Sequence, residues 1–311
     1  MSTTPLTITI IICTHDRPDD LCRCLESIAA QSVLPDDIIV VSESDTSCPE
    51  GIVEKFSHLL VRVIDCHEHN ISKSRNAGLY AARTDIVLFI DDDATAREGW
   101  IRTYIEAFER RPEVWIIGGD VYDSRTDPPI LEFSKGLISS FGSQILEWRG
   151  LADELPGGYM RHVKGCNFGM RRRQAIDIGG FDPFYAFAFE ESDIALSLCA
   201  AGGLVEHEPS ALVDHAHSPG FYRQDGLMDR NWYVEYASHT MFMLKHTPRY
   251  KRFLGRLFIY RRLLKLTFFV IFDVLRGNRS IATGCGILVD ARRGVCDAYR
   301  EFGARSSVTH R

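Results

Sequence analysis

No stretch of this 311-residue chain runs for about 18 residues without a charge, the length a spanning helix needs. The nearest approach, "LFIYRRLLKLTFFVIFDVL" (257–275), is interrupted by Arg261, Arg262, Lys265 and Asp273. A membrane-spanning helix is therefore not expected. The opening "MSTTPLTITIIICTHDRP" lacks a basic leader and a clear cleavage site. None of the nine cysteines falls into CxxC spacing, so neither a zinc site nor a disulfide framework is expected. Reduced thiols in a cytoplasmic protein are the natural reading. "CTHDRPDD" after the first apolar run contains no glycine, which argues against the Gly-rich phosphate loop of a nucleotidyltransferase. No GxGxxG follows any apolar run, which argues against a dehydrogenase. Internal repeats and low-complexity segments are also missing.

What is present is a normal globular composition, 45% hydrophobic and 25% charged, enough for one large domain or two modest ones. The net charge of −6 hides an asymmetry. Residues 245–311 hold 15 Lys or Arg against 4 Asp or Glu, whereas the first 244 hold 21 against 38. An acidic body with a basic tail implies that the tail meets something anionic, either a membrane surface or a negative face of a second subunit. For 257–275, an ordinary packing helix, a dimer contact and an interfacial membrane helix are the open readings. No nucleic acid partner is expected.

The first 120 residues alternate strand and helix patterns. "LTITIIIC" (6–13), "DIIVVS" (37–42), "LVRVID" (60–65), "DIVLFID" (85–91) and "VWIIGGDVY" (114–122) read as strands. "DDLCRCLESIAAQ" (19–31), "SKSRNAGLYAAR" (72–83) and "GWIRTYIEAFERR" (99–111) read as helices. Short, continuous apolar strands between helices predict an α/β fold with a mostly parallel sheet covered on both faces. Residues 123–160, with "DPP" and "PGG", read as a long loop or a flexible insertion. "HVKGCNFGMRRRQAIDIGGFD" (162–182) predicts a strand, a short helix and a Gly-Gly turn. "EESDIALSLCAAGG" (190–203) predicts a helix with acids in its first turn, "LVEHEPSALVDHAH" short strands, and everything from about 230 a basic helical extension.

Asp91, Asp92 and Asp93 end the most apolar of these strands without a spacer. Like charges this close repel, and a solvated turn is the plain reading of such a cluster. The strand, however, aims them at the crevice where ligands bind in parallel sheets. Hard divalent cations take oxygen ligands, so Mg2+ or Mn2+ holding phosphate oxygens would balance the charge.

"IIICTHDRPDDLCRCLESIAAQ", "DIIVVSESD", "ISKSRNAGLYAA", "FIDDD", "GGFDPFY" and "FEESDIALSLCAAG" occur in the order that resembles family 2 glycosyltransferases of the Rossmann-like GT-A fold, over residues 6 to about 217. The resemblance implies an inverting transferase that uses a nucleotide-diphosphate sugar donor and a glycan or lipid-linked acceptor. It implies a catalytic part over 1–229, with a nucleotide half to about 122 and an acceptor half after it, and an extension over 230–311. Thr14 and Arg17 would hold the nucleotide, with Arg75 in the "RN" helix entry at its base or phosphate. Asp91 and Asp92 would lie with the nucleotide, Asp91 at the ribose or the metal hydration shell, and Asp93 would bind the metal. Glu43 stands where the family often has the Asp that reads a uracil edge. Glu191 in "EESD" matches the family's catalytic Asp, with Glu190 and Asp193 as rivals. His215 would be a metal ligand, with His217 competing for that role. A relative that binds sugar without catalysis is the other reading, kept open by Glu at 191. The implied siting is cytoplasmic, peripheral on the inner face of the membrane, with a homodimer as the alternative use of the tail.

Overall fold

The structure, a computed structural model, describes residues 5–43, 50–150, 155–219, 223–224, 227–228 and 231–308. Chain order runs β1 (Ile8–Thr14), α1 (Pro18–Ala29), β2 (Asp37–Ser42), the single turn α2 (Glu50–Val53), β3 (Val61–Asp65), α3 (Ile71–Ala81) and β4 (Ile86–Ile90). β5 (Ala94–Ala96), α4 (Trp100–Arg110), β6 (Val114–Asp123) and the short strands β7 (Ile130–Phe133), β8 (Leu137–Ser139), β9 (Gln144–Ile145) and β10 (Tyr159–Arg161) follow. Then come β11 (Asn167–Arg171), α5 (Arg172–Asp177), α6 (Glu190–Ala200), β12 (Leu204–His215), and the hairpin of β13 (Arg223–Gln224) and β14 (Leu227–Met228). Three helices end the chain: α7 (Trp232–His246), α8 (Arg252–Leu275) and α9 (Ile281–Val308).

The central sheet is ordered β3-β2-β1-β4-β11-β6-β12-β5, with β7 also on β6. β3, β2, β1 and β4 are parallel, β11 enters antiparallel between β4 and β6, and β12 returns parallel to β6. The strands are apolar at successive residues because both faces are covered. In β4, Ile86, Leu88 and Ile90 face one core, with Trp100 and Phe108 of α4, while Val87 and Phe89 face the other, with Phe168 and Phe181. All five residues of β4 are buried, so the strand delivers residues 91–93 at a fixed place on the sheet edge.

Among the described residues, 123–161 are not a single loop. β7 to β10 lie within them, and β8 pairs with β9 and β10 in a sheet of its own. Strands of two to four residues are too short for alternation to show. The "short strands" at 204–215 are one strand with a register shift between Glu208 and Leu212. Pro209 falls in that shift, where a residue with no N–H is tolerated. Residues 44–49, where the "VVSESD" run ends, lie outside the described residues.

Met241 and Phe242 of α7 join the core under the sheet, whereas Ile259, Leu266 and Val270 of α8 pack with Ile287, Ala291 and Val295 of α9 in a separate cluster. No described helix is long and apolar enough to cross a membrane.

Candidate active site

Beyond the carboxyl ends of β1, β2 and β4 lies a cavity of about 690 Å³. Thr14, Arg17, Glu43, Arg75, Asp91, Asp93, Glu191 and His215 all line it. Asp92 does not. Its side chain turns into the fold with no exposure, accepting from Thr14 Oγ1 at 2.7 Å and from the Arg17 guanidinium. Burial pushes its carboxyl up to about 7, with Arg17 pulling the other way. Three successive carboxylates are thus split between two tasks, Asp92 fixing the β1–α1 loop and its two neighbours facing the cavity.

Asp93 Oδ2 accepts from the Ser218 amide at 2.9 Å and lies 3.3 Å from Arg17 Nη1, and its Oδ1 lies 3.3 Å from His215 Nε2. His215 is 1% exposed, and neither ring nitrogen makes a hydrogen bond among the described residues. Burial opposes a charge on this ring, yet Cys166, Asp93 and Glu132 around it hold its pKa well above the ordinary value. Glu132 Oε2 stands 3.6 Å from His215 Nδ1 and 2.9 Å from His217 Nε2, and Lys164 donates to Oε1 at 2.8 Å. Burial would raise the Glu132 carboxyl, but the two histidines and Lys164 hold it well below the usual range.

A buried imidazole without hydrogen bonds, among carboxylates, fits a divalent cation. Two overlapping groups bring their ligand atoms within 4.8 Å of one another: Asp91, Cys166 and His215, and Glu132, His215 and His217. Sequence reasoning named Asp91, His215 and His217 but missed Glu132, Lys164, Cys166 and His15. Glu132 stands on β7, inside the stretch read as a loop. Lys164 and Cys166, just before β11, carry no motif of their own. His15, which lines the cavity and packs edge-on against His69, had only its place beside Thr14.

Arg75 is buried, and its guanidinium is already engaged. Nη1 donates to Glu190 Oε1 at 2.8 Å, Nη2 donates to the Gly165 carbonyl at 3.0 Å, and Nη2 lies 3.5 Å from Asp91 Oδ1. Phe89, Phe168 and Phe181 surround it at 5.6–5.9 Å. A buried charge needs such partners, and here they tie the start of α6 to the end of β4. Glu43, on the β2 side, accepts from Ser74 Oγ at 2.5 Å. Burial raises its carboxyl, with Ser74 opposing.

The chain enters α6 through Ala188 and Phe189, both left-handed at φ 67° and 70°. Two such residues in a row are strained and are a feature of functional turns. Glu190 and Glu191 follow in the first turn and both line the cavity. Glu190 is committed to Arg75. Burial, and then the charge of Glu190, raise the Glu191 carboxyl above the usual range. Asp193 is turned away, accepting from Tyr185 Oη at 3.1 Å and from Lys245 Nζ and His246 Nε2, both at 2.7 Å. It fastens α6 to the end of α7.

The profile described as "Glycosyl transferase family 2" matches residues 9–178. The glucosyl-dolichyl phosphate glucuronosyltransferase of Haloferax volcanii is 26% identical over 56% of each chain. A pre-mycofactocin glycosyltransferase of Mycobacterium tuberculosis is 27% identical over 68% of this chain and 43% of that one. The chain thus spans about half the length of these curated relatives. Among solved structures, GalNAc-T7 with UDP, GalNAc and Mn2+ superimposes with a TM-score of 0.58 at 14% identity, covering 72% of this chain and 45% of that one. The mannosyltransferase PcManGT from Pyrobaculum calidifontis, with GDP-Man and Mn2+, gives 0.54 at 14%, covering 94% and 88%. Such likenesses establish a GT-A fold. With more than half of its residues matched by the family profile, the chain belongs to glycosyl transferase family 2.

Proposed function

We propose that the protein moves a sugar from a nucleotide-diphosphate sugar to an acceptor hydroxyl with inversion at the anomeric carbon, in the synthesis of a glycoconjugate. One observation carries this reading: Asp91, Asp93 and His215 meet in the same cavity as Glu191, a half-buried carboxylate of raised pKa. Both neighbours named above were solved with a nucleotide and Mn2+.

Thr14, Arg17 and Glu43 would hold the nucleotide, with Arg17 and Asp91 toward its diphosphate. Asp91, Asp93 and His215 would hold a divalent cation, which supplies charge stabilisation to the leaving diphosphate. An imidazole in the ligand set favours Mn2+ over Mg2+. Glu191 takes the proton of the acceptor hydroxyl as that oxygen bonds to the anomeric carbon and the carbon–diphosphate oxygen bond breaks. Arg75 holds Asp91 and Glu190 in place and leaves Glu191 as the cavity carboxylate without that tie. Lys164, Cys166 and Glu132 support His215.

The test is a panel of nucleotide-diphosphate sugars, with release of the free nucleoside diphosphate measured with and without Mn2+. One donor is expected to turn over, and only with the metal. Equal turnover in excess chelator contradicts the reading.

A further inference from the structure

Helix α8 is apolar on two sides, and only one is covered. Gly255, Ile259, Leu266 and Val270 are buried, the last three against α9 and α7. On the opposite side Phe253, Leu257, Tyr260, Leu264, Phe268, Ile271 and Leu275 are each at least 41% exposed. Their spacing of four, three and four residues, repeated once, keeps them on one nearly straight line along about 33 Å of helix. Helices apolar all round are normally enclosed. Nothing among the described residues covers this side.

The flanks of the stripe are basic. Arg256 lies on one side, Arg261 and Lys265 on the other, and Arg276 at the end, all exposed. The one acid of the helix, Asp273, accepts from Arg279 Nε at 2.7 Å. A two-fold pairing of this face with a second copy would set these cations against themselves with no exposed acid on α8 to answer them. A two-fold dimer in which the stripe of each copy meets the acidic body of the other is the alternative occupant, and the solution-dimer measurement below reads it. A lipid surface bearing anionic headgroups meets the stripe and both flanks at once.

Phe258 and Arg262, which line the cavity that holds Glu191, lie beyond Arg261 and Lys265, about 120° and 160° round the helix from the stripe. We propose that the exposed face of α8 lies flat on an anionic bilayer surface and holds the cavity on the far side of this helix, about 10 Å from the headgroups, so that the acceptor is drawn from the membrane. The docking stands on the face itself. The acceptor clause rests on the glycosyl-transfer reading above.

The experiment is co-sedimentation of the full chain with phosphatidylcholine vesicles, with and without phosphatidylglycerol, at low and high salt. Pelleting is expected with the anionic vesicles alone and is released by salt. Leu264→Asp with Phe268→Asp should abolish it. Arg261→Gln with Lys265→Gln should weaken it by roughly 25-fold, at about fivefold for each base near the surface. Because both of these bases are exposed, the second pair tests the idea even if the first fails to fold. Absence of pelleting at low salt overturns the proposal, as does equal pelleting with neutral vesicles. A solution dimer that the stripe variant dissociates would also overturn it, in favour of a second copy. Donor turnover is read separately: a chain that pellets but turns over no nucleotide sugar leaves the docking intact and removes the reaction.

Discussion

Arg75 joins Asp91 to Glu190, the latter 115 residues further along the chain than Arg75 itself: Arg75 Nη1 donates to Glu190 Oε1 at 2.8 Å while Nη2 sits 3.5 Å from Asp91 Oδ1. The pair is buried, and the second Glu190 oxygen has no hydrogen-bond partner among the described residues. Removing the guanidinium would strand Glu190 in a low-dielectric site and take a cation away from the partly exposed Asp91. Arg75→Met should therefore lower the unfolding free energy by about 3–5 kcal/mol. Arg75→Lys should recover only part, since an ammonium cannot present the same planar fork. Urea unfolding of the two variants measures this. A loss below about 1 kcal/mol for Arg75→Met would mean that the contact is incidental.

The Asp triplet predicts a divided response. Asp93→Asn and His215→Ala should each weaken Mn2+ binding by at least about tenfold in a calorimetric or paramagnetic titration. Asp92→Asn should leave metal affinity near the parent value and destabilise the fold by about 1–3 kcal/mol, because Thr14 and Arg17 lose a carboxyl acceptor. If Asp92→Asn loses the metal and Asp93→Asn keeps it, the two roles have been exchanged.

Acid stability should depend on His162. Burial lowers its pKa from 6.5 to about 3, with Nδ1 3.2 Å from Ser192 Oγ. The folded ring stays neutral where the unfolded ring takes a proton, so stability is lost as pH falls below about 6.5 toward 3. Between pH 7 and pH 5 this one group should cost about 2 kcal/mol. His162→Asn should flatten that part of the profile. An unchanged slope would show that other groups carry the acid sensitivity.

Glu191 predicts the opposite sign. A carboxyl raised on folding holds a proton that the unfolded chain has released, so its contribution to stability falls as pH rises from the unfolded to the folded pKa. Catalysis needs the ionised form. Turnover should therefore climb with pH through a midpoint above the usual carboxylate range. A plateau reached already near pH 4 would remove Glu191 from the role of base.

Much of the nucleotide half was legible because its signals are local. The apolar runs of β1, β2 and β4 and the helical spacing of Leu21, Cys24, Leu25 and Ile28 need no distant partner. β7 to β10 were missed because each is only two to four residues long, too short for a period of two to show. The site divides in the same way. Asp91, Asp93, Glu191 and His215 stand in motifs, whereas Glu132, Lys164 and Cys166 reach His215 only through the tertiary fold. Asp92 and Asp193 look like their neighbours in the sequence, and only their partners show that they fasten elements together.

The central claim, that Glu191 is the base in a metal-assisted sugar transfer, is tested most directly by separating donor binding from turnover in two isosteric variants. With Mn2+ and an active donor, Glu191→Gln should keep the donor-induced rise in Tm and lose about 10²–10⁴ in kcat. Glu190→Gln should lose stability first, since Arg75 then lacks its ionised partner. A Glu191→Gln variant that turns over at nearly the parent rate, beside a folded and inactive Glu190→Gln, would contradict the account.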